Sequence, residues 1–520
     1  MDPQKLSKQL FKIKDLGLIL AEPHDKGHQL KKALGAFDLV LLGIGAIIGA
    51  GIFTVIGTAA AGDLARPGAG PSIIISFALT AVACGFAALC YSEFAAMVPI
   101  AGSAYTYSYA TFGELIAWII GWDLMLEYSV ANIAVSISWA GYCTEFLRGF
   151  GIHLPPWASI DLRAAFQGFE KASVLMSHGA VFEQLNPALQ KAWFAVHNAP
   201  HIFGIPVICN LPAFAIVFFI TVLLVIGIKE SARFTGVMVA VKLLVLAFFV
   251  AVGCFYVKPE NWAPFAPNGF AGIKTGAAIV FFAYIGFDAV STVAEETRNP
   301  KRDLPIGILG SLAICTVIYI VVSAVFTGLV PFHVLKDALS SQKAEPLAFA
   351  MKYTHLNWAT GVVAAGALLA QTAVLLVMQM GQSRIFFSMS RDGLLPPFFS
   401  AVHPKFKTPY VTTIATGLIV ASVASFANID EMVDLTNIGT LFAFVLVCFG
   451  VIILRVKEPH RHRSFKVPLS PLVPLLGVAT CIFLMTGLPA VTWIRFVVWL
   501  LLGFVVYFAY SIRHSLLHKV

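Results

Sequence analysis

Four ionisable residues, Asp123, Glu127, Lys242 and Asp288, fall inside long apolar stretches of the 520-residue chain. A charge at the centre of a bilayer costs about 2.5–3.5 kcal/mol on insertion scales, so each of the four needs a compensating role. Lys242 lies nine residues beyond Arg233, or about 13 Å along a helix that rises 1.5 Å per residue. Its ammonium is then near mid-depth, where snorkelling to an interface is strained. It either fills a polar gap between helices or acts as a fixed cation that exchanges a proton. Glu127 sits near the middle of its stretch, with Asp123 one turn earlier on the same face. Glu127 anchors a structural hydrogen bond or faces the side chain of a bound solute, attracting a cationic end. Asp288 follows a glycine and is placed to accept from backbone N–H groups freed there.

Two of these stretches are interrupted by glycine. The run Gly43-Ile44-Gly45-Ala46-Ile47-Ile48-Gly49-Ala50-Gly51-Ile52-Phe53 holds four glycines in nine residues, each weakening a helix by roughly 1 kcal/mol relative to alanine. The run Phe281-Phe282-Ala283-Tyr284-Ile285-Gly286-Phe287-Asp288 sets a glycine and a carboxylate where lipid-facing side chains are expected. Small residues also serve plain helix packing, and Gly45 with Gly49 matches the GxxxG pattern. If both helices unwind instead, the exposed backbone must line a cavity or be buried in protein. Freed N–H groups then suit an anion and freed carbonyls suit an ammonium. Together they are complementary to a zwitterionic amino acid. Interrupted helices at the start of two halves of a chain point to a transporter site.

Holding these residues takes about twelve membrane helices. Apolar spans run near 37–60, 72–97, 114–145, 211–228, 233–257, 274–292, 304–330, 357–388, 409–427, 434–455, 471–490 and 492–512. Hydrophobic residues make up 58% of the chain and charged ones 12%, half the charged share of about 25% in a soluble domain. The fold class is therefore all-α and polytopic, with the bilayer as partner. The net charge of +8 does not point to nucleic acid, because the Lys and Arg fall between spans. They concentrate after spans 4 (Lys229 and Arg233), 6 (Arg298, Lys301 and Arg302), 8 (Arg391, Lys405 and Lys407) and 10 (Arg455 to Lys466), all even-numbered, which sets both termini on the cytoplasmic side.

Residues 1–36 are rich in Lys with Leu and Ile at helical spacing, as in an interfacial amphipathic helix. Residues 147–210 form a long outer loop with helix-compatible stretches such as 162–195. It carries no N-x-S/T sequon, which favours a bacterial source. The eight cysteines show no metal-ligand spacing; Cys143 and Cys209, both at the outer edge, are a candidate disulfide. No HExxH, GxSxG, Walker or Cys-His constellation marks an enzyme.

Several motifs resemble one family. Gly45 to Phe53 looks like the first-helix signature of the amino acid–polyamine–organocation superfamily. Tyr284-Ile-Gly-Phe-Asp288 followed by Glu295-Glu-Thr-Arg-Asn-Pro-Lys-Arg-Asp-Leu-Pro305 resembles its sixth helix and next loop. Ser390-Arg-Asp-Gly-Leu-Leu-Pro396 resembles the loop after its eighth. The match covers most of residues 30–515 and is nearest to the cationic amino acid transporter family, in its bacterial twelve-helix form.

The resemblance implies a LeuT-type fold of two inverted five-helix repeats, residues 37–257 and 258–455, with two further helices in 456–520. It implies alternating access, with the substrate carboxylate at the amides of Gly49, Ala50 and Gly51. The α-ammonium would meet the carbonyls of Ile47, Phe282, Ala283 and Ile285, with Phe282 also gating the site. Many relatives have Ser or Thr at the position of Ala50, so here backbone amides act alone. Lys242 would stand where sodium-dependent relatives hold an ion between helices 1, 5 and 8, which implies proton coupling, no sodium site and no cofactor. Met378 on span 8 would fill the distal pocket, favouring small neutral substrates, with cationic L-amino acids also admitted. Glu295 and Glu296 with Arg298 and Arg302 would form a cytoplasmic latch or a solvated loop. The expected function is import of amino acids across a bacterial plasma membrane by proton symport. An exchanger or sodium-coupled carrier on the same scaffold, and a non-transporting amino acid sensor, remain as alternatives.

Overall fold

The computed structural model describes residues 10–13, 34–63, 66–98, 103–226, 232–339, 345–406 and 408–518. Most of the amphipathic N-terminal stretch lies outside them. Span 1 consists of α1 (Ala36–Ile47), α2 (Ala50–Thr54) and α3 (Ile56–Ala61), and span 2 is α4 (Ile73–Met97). A short α5 (Ser103–Thr111) leads into span 3, α6 (Glu114–Gly149). The long loop contains α7 (Leu162–Ser177) and α8 (Pro187–His197), and spans 4 and 5 follow as α9 (Leu211–Ile226) and α10 (Ala232–Cys254). Span 6 starts as α11 (Gly269–Val280) and continues as 3₁₀ turns. Span 7 is α12 (Pro300–Leu329), followed by the short α13 (Phe332–Leu339) and α14 (Pro346–Met351). Spans 8 to 12 are α15 (Asn357–Arg391), α16 (Tyr410–Ala424), α17 (Ile429–Lys457), α18 (Leu472–Met485) and α19 (Ala490–Val506). The hydropathy limits thus hold to within a few residues.

Among the described residues, eight helices are long and apolar enough to cross a membrane, and α9, α16 and α18 are shorter apolar helices. The exception is α6. It runs for 36 residues but carries Asp123, Glu127, Asn132, Ser136 and Ser138, all buried. It packs against α9, α15, α16 and α17, so protein rather than lipid surrounds its polar groups. A helix carrying two buried carboxylates within one turn of each other is therefore one that other helices surround.

The two ends of the chain meet at the start of α6. Lys12 Nζ donates to the carbonyl of Leu517 at 2.6 Å, and Glu114 N donates to the carbonyl of Lys12 at 3.2 Å. The Glu114 carboxylate accepts from Tyr109 and Tyr507, each at 3.0 Å, and from Ser515. On this face Glu93 of α4 binds Arg455 of α17 through two hydrogen bonds of 3.0 and 2.5 Å. Arg463 adds a contact to Glu93 at 3.3 Å. The Glu296 segment is held through its backbone instead: Leu34 N donates to Glu296 O at 3.0 Å and Arg298 N to Leu34 O at 2.9 Å. Arg298 and Arg302 are exposed there.

From Glu114, α6 carries the chain to the opposite face, where α7 and α8 form a helical hairpin. Asp161 caps α7, accepting from Ala164 N at 2.8 Å, and Asn186 caps α8, with Pro187 at its first position. A two-stranded ribbon, β1 (His201–Ile202) and β2 (Ile205–Pro206), returns the chain to α9. The hairpin has its own small core of Ala165, Ala195, Ala199 and Ile208, flanked by Trp157. All eight cysteines are free, so the candidate pair Cys143 and Cys209 is not joined. Cys209 is engaged within the loop, its N–H donating to Trp157 O at 3.0 Å, while Cys143 stays on α6.

Candidate functional site

Span 1 breaks where its glycines predict. α1 ends at Ile47, Ile48 is extended (φ −78°, ψ 99°), and α2 begins at Ala50. The same glycines also permit close packing, so both readings of the run hold at once. A Cβ on Gly43 would overlap the Ser311 side chain of α12, and one on Gly45 would stand 2.7 Å from Val239 of α10. On Gly49 it would overlap Val374 of α15; on Gly51 it would overlap Ala283 Cα and lie 2.5 Å from Ala283 Cβ. Each glycine thus admits a different neighbouring helix.

Span 6 breaks beside it. After α11 the chain tightens into a 3₁₀ turn over Phe281–Tyr284, Ile285 is extended (φ −61°, ψ 135°), and a second 3₁₀ stretch runs Asp288–Glu296. The second half is therefore 3₁₀ rather than the α-helix implied by a simple half-helix. Gly286 has φ +118°, a conformation that L side chains avoid, and a Cβ there would lie 2.9 Å from Ala46 C and O. The two breaks lie against each other: Gly286 on Ala46, Gly51 on Ala283.

Lys242 is buried at 2% exposure, and its ammonium donates to Gly45 O at 2.8 Å. Its Nζ is 3.7 Å from the position a Gly49 Cβ would take, so the charge sits at the start of the first break. Cys315 of α12 is beside it. The amides of residues 49 to 51 open α2, where a helix has no intrahelical acceptor for them. Two of the expected acceptor carbonyls are already in use. Tyr319 Oη of α12 lies 2.9 Å from Ile47 O and 2.9 Å from Ala283 O. Tyr319 was not singled out by sequence. Its signal is a tyrosine mid-way along an otherwise apolar helix, whose hydroxyl must find a partner when buried. Tyr142 of α6 is a second such hydroxyl, donating to Phe53 O at 2.9 Å.

The remaining candidates gather around the breaks. Phe282, Ala283 and Ile285 are all buried. Glu127 is buried on α6 beside Thr440 of α17, within electrostatic reach of Asp288 and Asp123. Asp288 begins the second 3₁₀ stretch, close to the backbone of residues 286 and 289, and its Oδ1 lacks a hydrogen-bond partner. Both carboxylate oxygens of Asp123 lack one too, and Gly439 of α17 makes room for them. Met378 is buried on α15, one turn beyond Val374. Among the described residues no group of three or more His, Cys, Asp or Glu is arranged to hold a metal ion.

A bundle of apolar helices with two of them broken side by side, and a charged amine at the break, defines a membrane transport protein rather than an enzyme. Residues 34–511 match the amino acid permease family model. The chain is 49% identical over 502 residues to the branched-chain amino acid permease BcaP of Bacillus subtilis, covering 96% of this chain and 97% of that one. It is 44% identical over 510 residues to the methylthioribose transporter of the same organism, covering 98% and 99%. It is 35% identical over 453 residues to a vacuolar cationic amino acid transporter 4 of Arabidopsis thaliana, covering 86% and 66%. The chain belongs to the amino acid permease family, within the amino acid–polyamine–organocation superfamily.

Proposed function

We propose that this chain imports neutral L-amino acids with small or branched aliphatic side chains, by proton-coupled symport and alternating access. The observation that carries this reading is the pair of abutting helix breaks with the Lys242 ammonium 2.8 Å from Gly45 O. The substrate carboxylate is bound by the amides of Gly49, Ala50 and Gly51. The α-ammonium takes the carbonyls of Ile47, Phe282, Ala283 and Ile285, displacing the Tyr319 hydroxyl from two of them. Phe282 closes over the site, and Asp288 holds the backbone after the break. Lys242, when protonated, supplies a positive charge where a metal cation would otherwise be needed, and it releases and regains the coupling proton during the cycle. Met378 limits the side-chain pocket, and the 49% identical branched-chain permease supports an aliphatic substrate over a cationic one. In this reading the two broken spans open inverted five-helix repeats of the LeuT type, and both termini are cytoplasmic in a bacterial inner membrane.

Uptake into proteoliposomes tests it. An inward proton gradient should drive accumulation of L-valine and L-alanine, a sodium gradient should not, and no internal amino acid should be required. Lys242→Ala should keep exchange of internal for external valine but lose the response to the proton gradient. Retained proton-driven accumulation in Lys242→Ala would remove the lysine from the mechanism. Uptake of methylthioribose in place of amino acids would move the chain to the function named for its 44% identical relative.

A further inference from the structure

Beneath the α7–α8 hairpin lies a chamber of about 490 Å³, within the usual range for small-molecule sites. The hairpin roofs it, α6 walls it, and its floor is the loop-side end of spans 1 and 10. That floor is sealed. Arg66 bonds Asp63 at 2.8 Å and Asp434 at 2.8 Å, and Thr58 Oγ1 donates to Asp430 at 3.0 Å. Thr54, at the end of α2, lies just below the seal. The chamber therefore stands on the path from the hairpin face to the helix breaks.

Most charges lining the chamber are matched with one another. Glu431 is held by Arg163 and by Arg495 at 3.1 Å; Glu145 is held by Arg148 at 2.6 Å and Lys352 at 2.7 Å. Lys191, Glu345 and Asp161, all half-buried, are not so matched, while Lys171 is exposed to solvent. The Lys191 ammonium donates to the carbonyl of Ser159 at 3.0 Å and, among the described residues, forms no ion pair within 4 Å. The Glu345 carboxylate likewise forms none, although Lys191, Lys352 and Arg148 lie in its electrostatic surroundings. Asp161 uses one oxygen as the cap of α7. Burial pushes Lys191 down, Glu345 up and Asp161 up to about 6. The chamber thus holds a half-buried cation, Lys191, and a half-buried carboxylate, Glu345, that no ion pair within 4 Å engages among the described residues, with Asp161 beside them, a charge pattern that a zwitterion completes.

We propose that this chamber is a second binding site for zwitterionic α-amino acids, separate from the helix breaks. Lys191 receives the α-carboxylate, and Glu345 and Asp161 receive the α-ammonium. The substrate waits there until Arg66 releases Asp434 and the floor opens. The site gives the long loop a function: it concentrates substrate above the seal. This inference rests on the amino acid transport reading above.

Equilibrium binding of radiolabelled L-valine to the full-length protein in nanodiscs, read beside uptake in proteoliposomes, tests it. Wild type should bind two valines per chain, and Gly51→Ala, which disturbs only the helix breaks, should keep one. Lys191→Gln and Glu345→Gln should each bind one and raise the uptake KM about tenfold, the effect of losing a charged hydrogen bond. If either variant fails to reach the membrane, Gln167→Trp decides, since it fills the chamber without changing charge and should give the same loss. One valine per wild-type chain, with uptake intact and KM unmoved by Gln167→Trp, overturns the chamber site while leaving the transport reading in place. A wild type that neither binds nor takes up any amino acid overturns both.

Discussion

Gly51→Ala is the smallest change that reports on the joined breaks. The added methyl would stand 2.5 Å from Ala283 Cβ and 2.8 Å from Ala283 N. Carbon atoms rest about 3.5–4.0 Å apart and the methyl would also overlap Ala283 Cα, so spans 1 and 6 must separate by about 1.5 Å or more. Overpacking costs about 1–3 kcal/mol where side chains can shift, and here the obstacle is backbone. At 3 kcal/mol the arrangement that places both breaks together falls about a hundredfold in population. Initial rates of L-valine uptake in proteoliposomes should therefore drop by about that factor. Gly85→Ala and Gly361→Ala serve as controls. Neither position has an atom within 4 Å of the added Cβ, and alanine in a helix interior should stabilise by about 0.5–1 kcal/mol. Measuring thermal unfolding alongside uptake separates loss of the site from loss of the fold. Wild-type uptake by Gly51→Ala at unchanged KM would refute the reasoning, because the two breaks would not need this contact.

Other outcomes follow from neighbouring groups. Tyr319→Phe removes the hydroxyl beside Ile47 O and Ala283 O, which should destabilise the empty protein by about 1–2 kcal/mol and tighten valine binding. Calorimetry showing weaker binding would mean that the hydroxyl contacts the substrate rather than competing with it. Met378→Ser should raise the ratio of arginine to alanine uptake; an unchanged ratio would show that Met378 only packs. Asp161 bears on stability against pH. Its folded value of about 6 lies above the ordinary carboxylate value, so its contribution is fully present below about pH 4 and is lost as pH rises through 6. Asp161→Asn keeps the cap of α7 and should flatten that slope, by up to about 3 kcal/mol between pH 4 and 7. Thermal melts that remain parallel across this window would contradict the burial of Asp161.

The membrane helices were legible in the chain because a bilayer demands long apolar runs with satisfied backbones, and that demand is written locally. The two breaks were legible for a similar reason: glycine weakens a helix wherever it stands, and Gly43 to Gly51 and Gly286 mark the places. Lys242 stood out because an amine at mid-depth is costly under any topology. Other features depend on partners distant in sequence. Tyr319 matters only because α12 brings its hydroxyl to two carbonyls 272 and 36 residues away. The polar character of α6 keeps it out of the set of helices apolar enough to cross a membrane, and only its place among the other helices accounts for it. Cys143 and Cys209 are both free, because pairing depends on where the fold sets two distant thiols rather than on their shared side of the membrane. Hydropathy thus determined that the chain crosses the membrane and where two helices fail. Tertiary packing decided that the two failures meet, what lies between them, and that the hairpin covers a charged chamber, since each requires groups that no local pattern can bring together.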